Sequence, residues 1–359
     1  MTEDPTGAAR TVVAPRHHYL FNFSVSWSGG GYKRLYEYAR LFHTRGGAWF
    51  VAHPTCRSLA DEFPNNRFFF PNQPRYQRLY DDCGYLRPIV DVMGMPALYY
   101  SYGIPLYWRV GRLNWFHLSN VLALTTRGIP LNLMLRLKIG HVGRATRRGF
   151  QWADVISAES RHSLSLIPRE HEAKLFLSVN GSDDELQALA NPNAVATDNA
   201  LATMVGTHVY KGLDDGVRIF EMLRVRRPDL RLHIIGNQGT VPRAVQNHPG
   251  VTLCGTLPRS EVIDMLARSR FYLSMTHVEN SWNAASEGIF LAAESYLSGI
   301  EPHRELLRTL PVSEVPVPGV RRTVLHVTRG TLTGVNLSSW ETIVDELDSR
   351  VRLAISGAA

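Results

Sequence analysis

At 359 residues the chain is long for one ordinary domain and suits two; with 44% hydrophobic and 20% charged residues, each half has apolar side chains enough for its own core. Its formal charge of +7 is uneven, +10 over residues 1–180 and −3 over the remainder, so an anionic partner (membrane surface, lipid pyrophosphate or nucleic acid) is expected only at the first half. The three cysteines, Cys56, Cys83 and Cys254, have no metal-ligand spacing and fit a reducing compartment, Met1–Pro15 lacks the apolar stretch of a signal peptide, and no apolar run nears the roughly 18 residues of a membrane span; a cytoplasmic protein with at most peripheral membrane contact is expected.

In chain order, residues 1–15 read as a disordered start. Tyr19–Val25 is β-rich and ends in Ser28-Gly29-Gly30-Gly31, a loop after which Leu35, Ala39 and Phe42 recur at helical spacing. Ala48–Ala52 reads as a second strand, completing a strand–loop–helix–strand unit. Residues 60–130 are aromatic and resist division, apart from a buried strand at Asn114–Phe116 that ends at His117. Arg136–Phe150 reads as a basic helix, Asp154–Ala158 as a strand, and Leu175–Val179 as a strand running into the turn Asn180-Gly181-Ser182-Asp183. Asn191–Asn199 reads as a linker.

A clearer alternation follows: strands at Ala202–Val205, Leu230–Ile235, Val251–Leu253 and Phe271–Met275, helices at Asp214–Arg224, Ser260–Arg268 and Trp282–Leu297. That rhythm predicts parallel sheets covered on both faces, with ligands at the carboxyl ends of the strands. Ser338-Ser339-Trp340-Glu341 has the pattern of a capping box and opens a last helix reaching about Ile355. The domains expected are 16–190 and 191–335, with 336–359 as a C-terminal helix.

The most informative segment is Glu279-Asn280-Ser281-Trp282-Asn283-Ala284-Ala285-Ser286-Glu287, which follows a strand and opens a helix. Backbone N–H groups at a helix start suit a diphosphate, and two flanking carboxylates suit sugar hydroxyls. The plain alternative is a helix cap at Glu279 and a solvated Glu287. No Asp-x-Asp, Walker loop, Gly-x-Gly-x-x-Gly or Gly-x-Ser-x-Gly occurs.

This spacing resembles the Glu–seven residues–Glu motif of retaining glycosyltransferases of family 4. Val205–Leu213, Arg227–Gly236, Val251–Gly255, Glu261–Leu266 and Pro302–Leu306 resemble further segments of that family in the same order, and Asp154–Ser160 and Asn180–Asp183 match it in the first half. The resemblance implies a GT-B fold, α/β with two Rossmann-like domains whose parallel sheets face an interdomain cleft. It also implies transfer of a sugar from a nucleotide sugar with retention, without metal or other cofactor, and a C-terminal helix that crosses back to the first domain.

By the same resemblance Lys211, Glu279 and His117 are the expected catalytic residues. Glu287, Asn280, Ser281, Trp282, Asn283, Gly30, Gly31, Gly236 and Gly255 are expected at the nucleotide sugar. One departure stands out. The family's Arg five residues before the Lys has no counterpart, so the second cation is missing or is replaced by His208 or a more distant Arg, with Lys33 as further support for a phosphate.

The basic, apolar and acid-free Arg127–Arg148 suits an anionic membrane surface or a lipid-linked saccharide acceptor. A packed helix with a solvated basic face is the alternative. Nucleic acid is not expected, since no recognition module accompanies the charge. A role in bacterial surface-polysaccharide or O-antigen assembly follows from the resemblance. Two other functions stay open: a nucleotide-sugar epimerase or hydrolase of the same fold, and a weakly catalytic binding partner within a glycosyltransferase complex.

Overall fold

The computed structural model describes residues 17–74, 83–126, 128–182, 186, 195–329 and 338–357. Two seven-stranded sheets organise them. In the first, β1 (Tyr19–Phe23), β2 (Trp49–Ala52), β3 (Arg67–Phe69), β4 (Leu98–Tyr102), β5 (Leu113–Leu118), β6 (Val155–Ala158) and β7 (Leu175–Leu177) lie in the order β3-β2-β1-β4-β5-β6-β7. In the second, β8 (Asp198–Val205), β9 (Arg231–Ile235), β10 (Val251–Gly255), β11 (Ser269–Ser274), β12 (Glu294–Ser298), β13 (Ser313–Val315) and β14 (Val324–Thr328) lie in the order β10-β9-β8-β11-β12-β14-β13. This second sheet is parallel from β10 to β12, and β14 and β13 close its edge antiparallel. The protein is thus α/β with mostly parallel sheets, as expected.

Every residue of β1, β2, β4 and β5 is buried. Strands covered on both faces carry continuous apolar runs instead of alternation. This is why Leu98–Tyr102, the centre of the first sheet, gives no periodic signal in the sequence. Its Tyr100 meets Phe21 at 5.6 Å and Trp115 at 6.0 Å between ring centroids.

The chain forms two compact units, one made of Met1–His117, Ala145–Ile156 and Val344–Ala359, the other of Leu118–Arg144 and Ser157–Ile343. The last helix, Trp340–Ser356, belongs to the first unit from Val344 onward, and there the Tyr19 hydroxyl, which donates to Asp348 at 2.6 Å, holds it to β1. Arg45 adds an ion pair to Asp345 at 2.6 Å. This helix begins one residue later than the capping-box pattern indicates, since Ser339 Oγ accepts from the Thr342 N–H at 3.1 Å.

Two expectations need correction. Gly29, Gly30 and Gly31 are not a loop; they form the first turn of the helix Gly29–Thr44, which Gly29 enters at φ +62°. The helix expected at Trp282–Leu297 is Asn283–Leu291, and β12 follows. Residues 294–298 bond to β11 on one side and β14 on the other, and that ladder outweighs their helical pattern. The expected linker and turn lie partly outside the described residues, at 191–194 and 183, as do Arg127 and the first 16 residues.

Glu294, at the start of β12, pairs with Arg270 and accepts from His326 Nε2 at 3.0 Å. The bond from His326 is the largest influence holding its pKa below the ordinary 4.5, with the Arg270 charge acting the same way against burial. A depressed carboxylate contributes stability that is present above its unfolded value and lost as pH falls through the folded one. Glu294→Gln is therefore expected to lower the unfolding midpoint at pH 7, and the gap from wild type is expected to close as pH falls below 4.5. Melts followed by circular dichroism from pH 7 to 3 check this.

Candidate functional site

Strand order in the second sheet reverses at β8, which has β9 on one side and β11 on the other. Crevices outside the carboxyl ends of strands at such a reversal are where open α/β sheets bind ligands. Two segments emerge there, one after β8 and one after β11. The first is a single turn, Val209–Lys211, flanked by Gly206 at φ +93° and Gly212 at φ +65°. A Cβ on Gly212 would stand 2.0 Å from the Met275 carbonyl oxygen, so the turn lies directly against the end of β11. The Tyr210 carbonyl accepts from the His277 N–H at 2.7 Å and from Thr276 Oγ1 at 3.2 Å. These bonds stitch the two segments together.

Lys211 and Glu279 meet across that seam in a hydrogen-bonded ion pair, with side chains 16% and 21% exposed. Burial works to lower the Lys211 pKa, but the charge and hydrogen bond of Glu279 outweigh it and leave it raised. The ammonium therefore stays charged at physiological pH. His208 stacks on Tyr210, ring centroids 5.3 Å apart. Burial and then the Lys211 charge push its pKa below 6.5. The neutral imidazole is thereby favoured near pH 7.

The helix Asn283–Leu291 starts beyond Glu279 with Trp282 at its N-cap, no side-chain cap and no acid in its first turn. The positive end of its dipole is uncompensated there. Glu287 is buried one turn further on, and its Oε2 accepts from Arg259 at 2.8 Å. It is neither solvated nor a cap. Arg259, the first residue of the helix Arg259–Arg268, escaped sequence analysis. Its only signal is its place after the glycine turn that ends β10.

The remaining expected residues divide. Gly206, Gly236 and Gly255 end β8, β9 and β10 with φ of +93°, +144° and +73°. Gly206 N–H donates to Ile235 O and Gly236 N–H to Gly255 O, both at 2.8 Å. Three adjacent strand ends thus present backbone with no Cβ. Ser281 Oγ accepts from Asn180 Nδ2 at 3.3 Å. Trp282 packs on a core cluster that includes Ile263, Ile289 and Leu291, and Asn283 is half-buried. Asn280 faces away from solvent, its amide donating to Leu118 O at 2.8 Å and to Glu159 Oε2 at 2.9 Å.

Gly30, Gly31, Lys33 and His117 belong to the other unit. There the helix of Gly31 runs close enough that a Cβ would meet Ser26 Oγ at 2.9 Å. Lys33 is half-buried. His117 is fully buried, stacked on Tyr102 at 5.1 Å and on Tyr100 at 5.8 Å. Arg34, beside Lys33, is also fully buried and donates to the hydroxyls of Tyr38 and Tyr100 at 3.2 and 3.3 Å.

The basic segment folds as the helix Leu133–Gly149, with Leu133, Met134 and Leu137 largely exposed beside exposed Arg136, Lys138, Arg144, Arg147 and Arg148. Its other face, through Leu135 and Ile139, joins Leu122, Ile129 and Leu131 in a cluster with Tyr210 and Val278. Among the described residues no helix is long and apolar enough to cross a membrane. No group of three His, Cys, Asp or Glu there is arranged to hold a metal ion.

No family model and no curated protein sequence matches the chain. Solved structures do. HepE from Anabaena in complex with UDP-glucose superimposes with a TM-score of 0.57 at 14% identity, covering 93% of this chain and 91% of that one. Sucrose-phosphate synthase from Thermosynechococcus elongatus gives 0.62 at 12% identity, covering 95% and 100%. WaaG, a glycosyltransferase involved in lipopolysaccharide biosynthesis, gives 0.54 at 11% identity, covering 76% and 79%. The chain shares their fold, GT-B.

Gly212 is the residue that lets the Lys211 turn meet β11. Gly212→Ala adds a left-handed alanine, worth about 1–2 kcal/mol, to a backbone clash. It is expected to lower the unfolding midpoint by several degrees in a thermal melt, while Gly239→Ala, whose Cβ would meet nothing nearer than 3.4 Å, is expected to leave it nearly unchanged.

Proposed function

We propose that the protein is a metal-independent glycosyltransferase that takes a sugar from a nucleotide sugar. The observation that carries this is the Lys211–Glu279 pair beside an uncapped helix start, at the point where strand order reverses in a GT-B fold. The pyrophosphate sits at the N–H groups of Asn283 and its successors. Lys211 leaves Glu279 for the leaving diphosphate and stabilises the charge that grows there. The glycine ends of β8, β9 and β10 let the nucleotide approach the backbone. Glu279 and Glu287 accept from hydroxyls of the sugar and the nucleotide, so they are holders and not the acid/base pair of a hydrolase.

The finer reading is a retaining reaction of the family 4 type, in which the departing phosphate takes the acceptor's proton and the protein supplies position and charge. HepE binds UDP and UDP-glucose, which supports a nucleotide-sugar substrate. WaaG's part in lipopolysaccharide biosynthesis supports a surface-polysaccharide role. The acceptor is a saccharide on a lipid carrier, met at the cytoplasmic face of the membrane. The exposed apolar and basic face of Leu133–Gly149 supports this, because its buried face rests on Tyr210 and Val278, neighbours of the ion pair.

A thermal-shift screen with UDP, GDP, dTDP and ADP sugars tests the site. A nucleotide sugar at 100 times its dissociation constant is expected to add about 2.7 kcal/mol of stability. Glu287→Ala is expected to abolish the shift, and Lys211→Ala to remove transfer. Turnover of the nucleotide sugar with no acceptor would favour an epimerase or hydrolase. Binding without transfer in the wild type would favour a binding partner. Normal transfer by both variants would sink the assignment.

The lipid surface has its own test. Sedimentation with vesicles of phosphatidylglycerol and phosphatidylcholine is expected to pull down the wild type at low salt but not the Met134→Glu/Leu137→Glu variant. Raising the salt to suppress charge attraction is expected to weaken the wild type toward that level. Equal sedimentation of the two proteins would overturn this part.

A further inference from the structure

Glu159 follows β6, is 3% exposed, and belongs to no segment expected to touch a ligand. A carboxylate taken out of water to that extent needs hydrogen bonds to remain. One comes from Asn280 Nδ2 at 2.9 Å, the same nitrogen that donates to Leu118 O. Asn280 Oδ1 is meanwhile buried and without a partner among the described residues. An orphaned amide oxygen is costly, so the amide is turned by what its nitrogen gains, a charge-assisted bond to Glu159. Asn280 is also held through its backbone, whose carbonyl accepts from Ser163 Oγ at 3.0 Å, and Ser281 is held by Asn180. All of these groups lie in one compact unit. Glu279 is the residue immediately before them, and its side chain reaches Lys211.

The structure assigns Glu159 as the positioning residue of the Lys211–Glu279 pair: through Asn280 it sets the backbone from which Glu279 reaches the lysine. This deepens the proposed function, because that pair is the proposed nucleotide-sugar site. Its test does not depend on turnover.

The chain has only four lysines, Lys33, Lys138, Lys174 and Lys211, so acetylation by a water-soluble N-hydroxysuccinimide ester at pH 8 can be followed at each by peptide mass spectrometry. Lys211 is expected to react slowly in the folded wild type. Glu279→Ala, which frees the amine from its charge-assisted hydrogen bond, is expected to speed it by about tenfold. Glu159→Ala and Asn280→Ala, which loosen that bond, are each expected to speed Lys211 by at least about threefold, with the other three lysines unchanged. Glu159→Gln, whose amide oxygen still accepts from Asn280, is expected to stay close to wild type. Melts on each variant confirm that folded protein is labelled.

Unchanged Lys211 labelling in both alanine variants overturns the assignment. So does an equal acceleration of all four lysines, which marks a general loss of structure. If Glu279→Ala itself leaves Lys211 slow, the ion pair and the function built on it fall together. If the labelling pattern holds but no nucleotide sugar stabilises the protein, the positioning role stands and the functional reading alone fails.

Discussion

One ion pair, Lys211 with Glu279, ties together the features that make this protein's site. Two charges withdrawn from water hold each other only when geometry is good, and removing either leaves the other stranded. That geometry rests on the adjacency of β8 and β11, on the bond from His277 N–H to Tyr210 O, and on a glycine at 212 where any Cβ would strike the Met275 carbonyl. The lysine is thereby kept charged and close to the helix start, as wanted of a group that is to stabilise developing negative charge.

Beside Arg322, which meets His277 at 2.7 Å, two contributors to the positive field at this end of the sheet bear on a diphosphate. One is Lys211. The other is the start of Asn283–Leu291, with neither a capping side chain nor an acid in its first turn. Burial and the lysine charge both favour the neutral form of His208. Arg259 is committed to Glu287 and so fixes a carboxylate. A lysine beside an uncapped helix start suits a diphosphate.

The same constraint reaches the surface. Tyr210 and Val278, which precede Lys211 and Glu279 in the chain, are packed against Leu135 and Ile139 of a helix whose opposite face is apolar and basic. The anchoring of Asn280 by Glu159 and Ser163 works from within the same unit. The loop carrying Glu279 is therefore gripped by a polar clamp on one flank and by apolar packing on the other.

Sequence alone determined the α/β class, because strands and helices alternate from Ala202 onward, and it marked Lys211, Glu279 and Glu287 by spacing and family resemblance. It also marked the glycine ends of β9 and β10. It did not show Leu98–Tyr102 as a central strand, since a strand buried on both faces carries no alternation. Nor did it show that the helix after Trp282 stops at Leu291, because β12 is set by ladders to two distant strands.

Tertiary structure decided the partners. Arg259 meets Glu287 from 28 positions away, and Glu159 meets Asn280 from 121. Pairings of that range depend on strand order, which local pattern does not encode. Charge state was decided the same way, for His208 and Lys211 titrate as their burial and neighbours dictate. Residue types, in short, follow from sequence; which of them share a low-dielectric pocket of the fold, and so hold or lose their protons, follows only from packing.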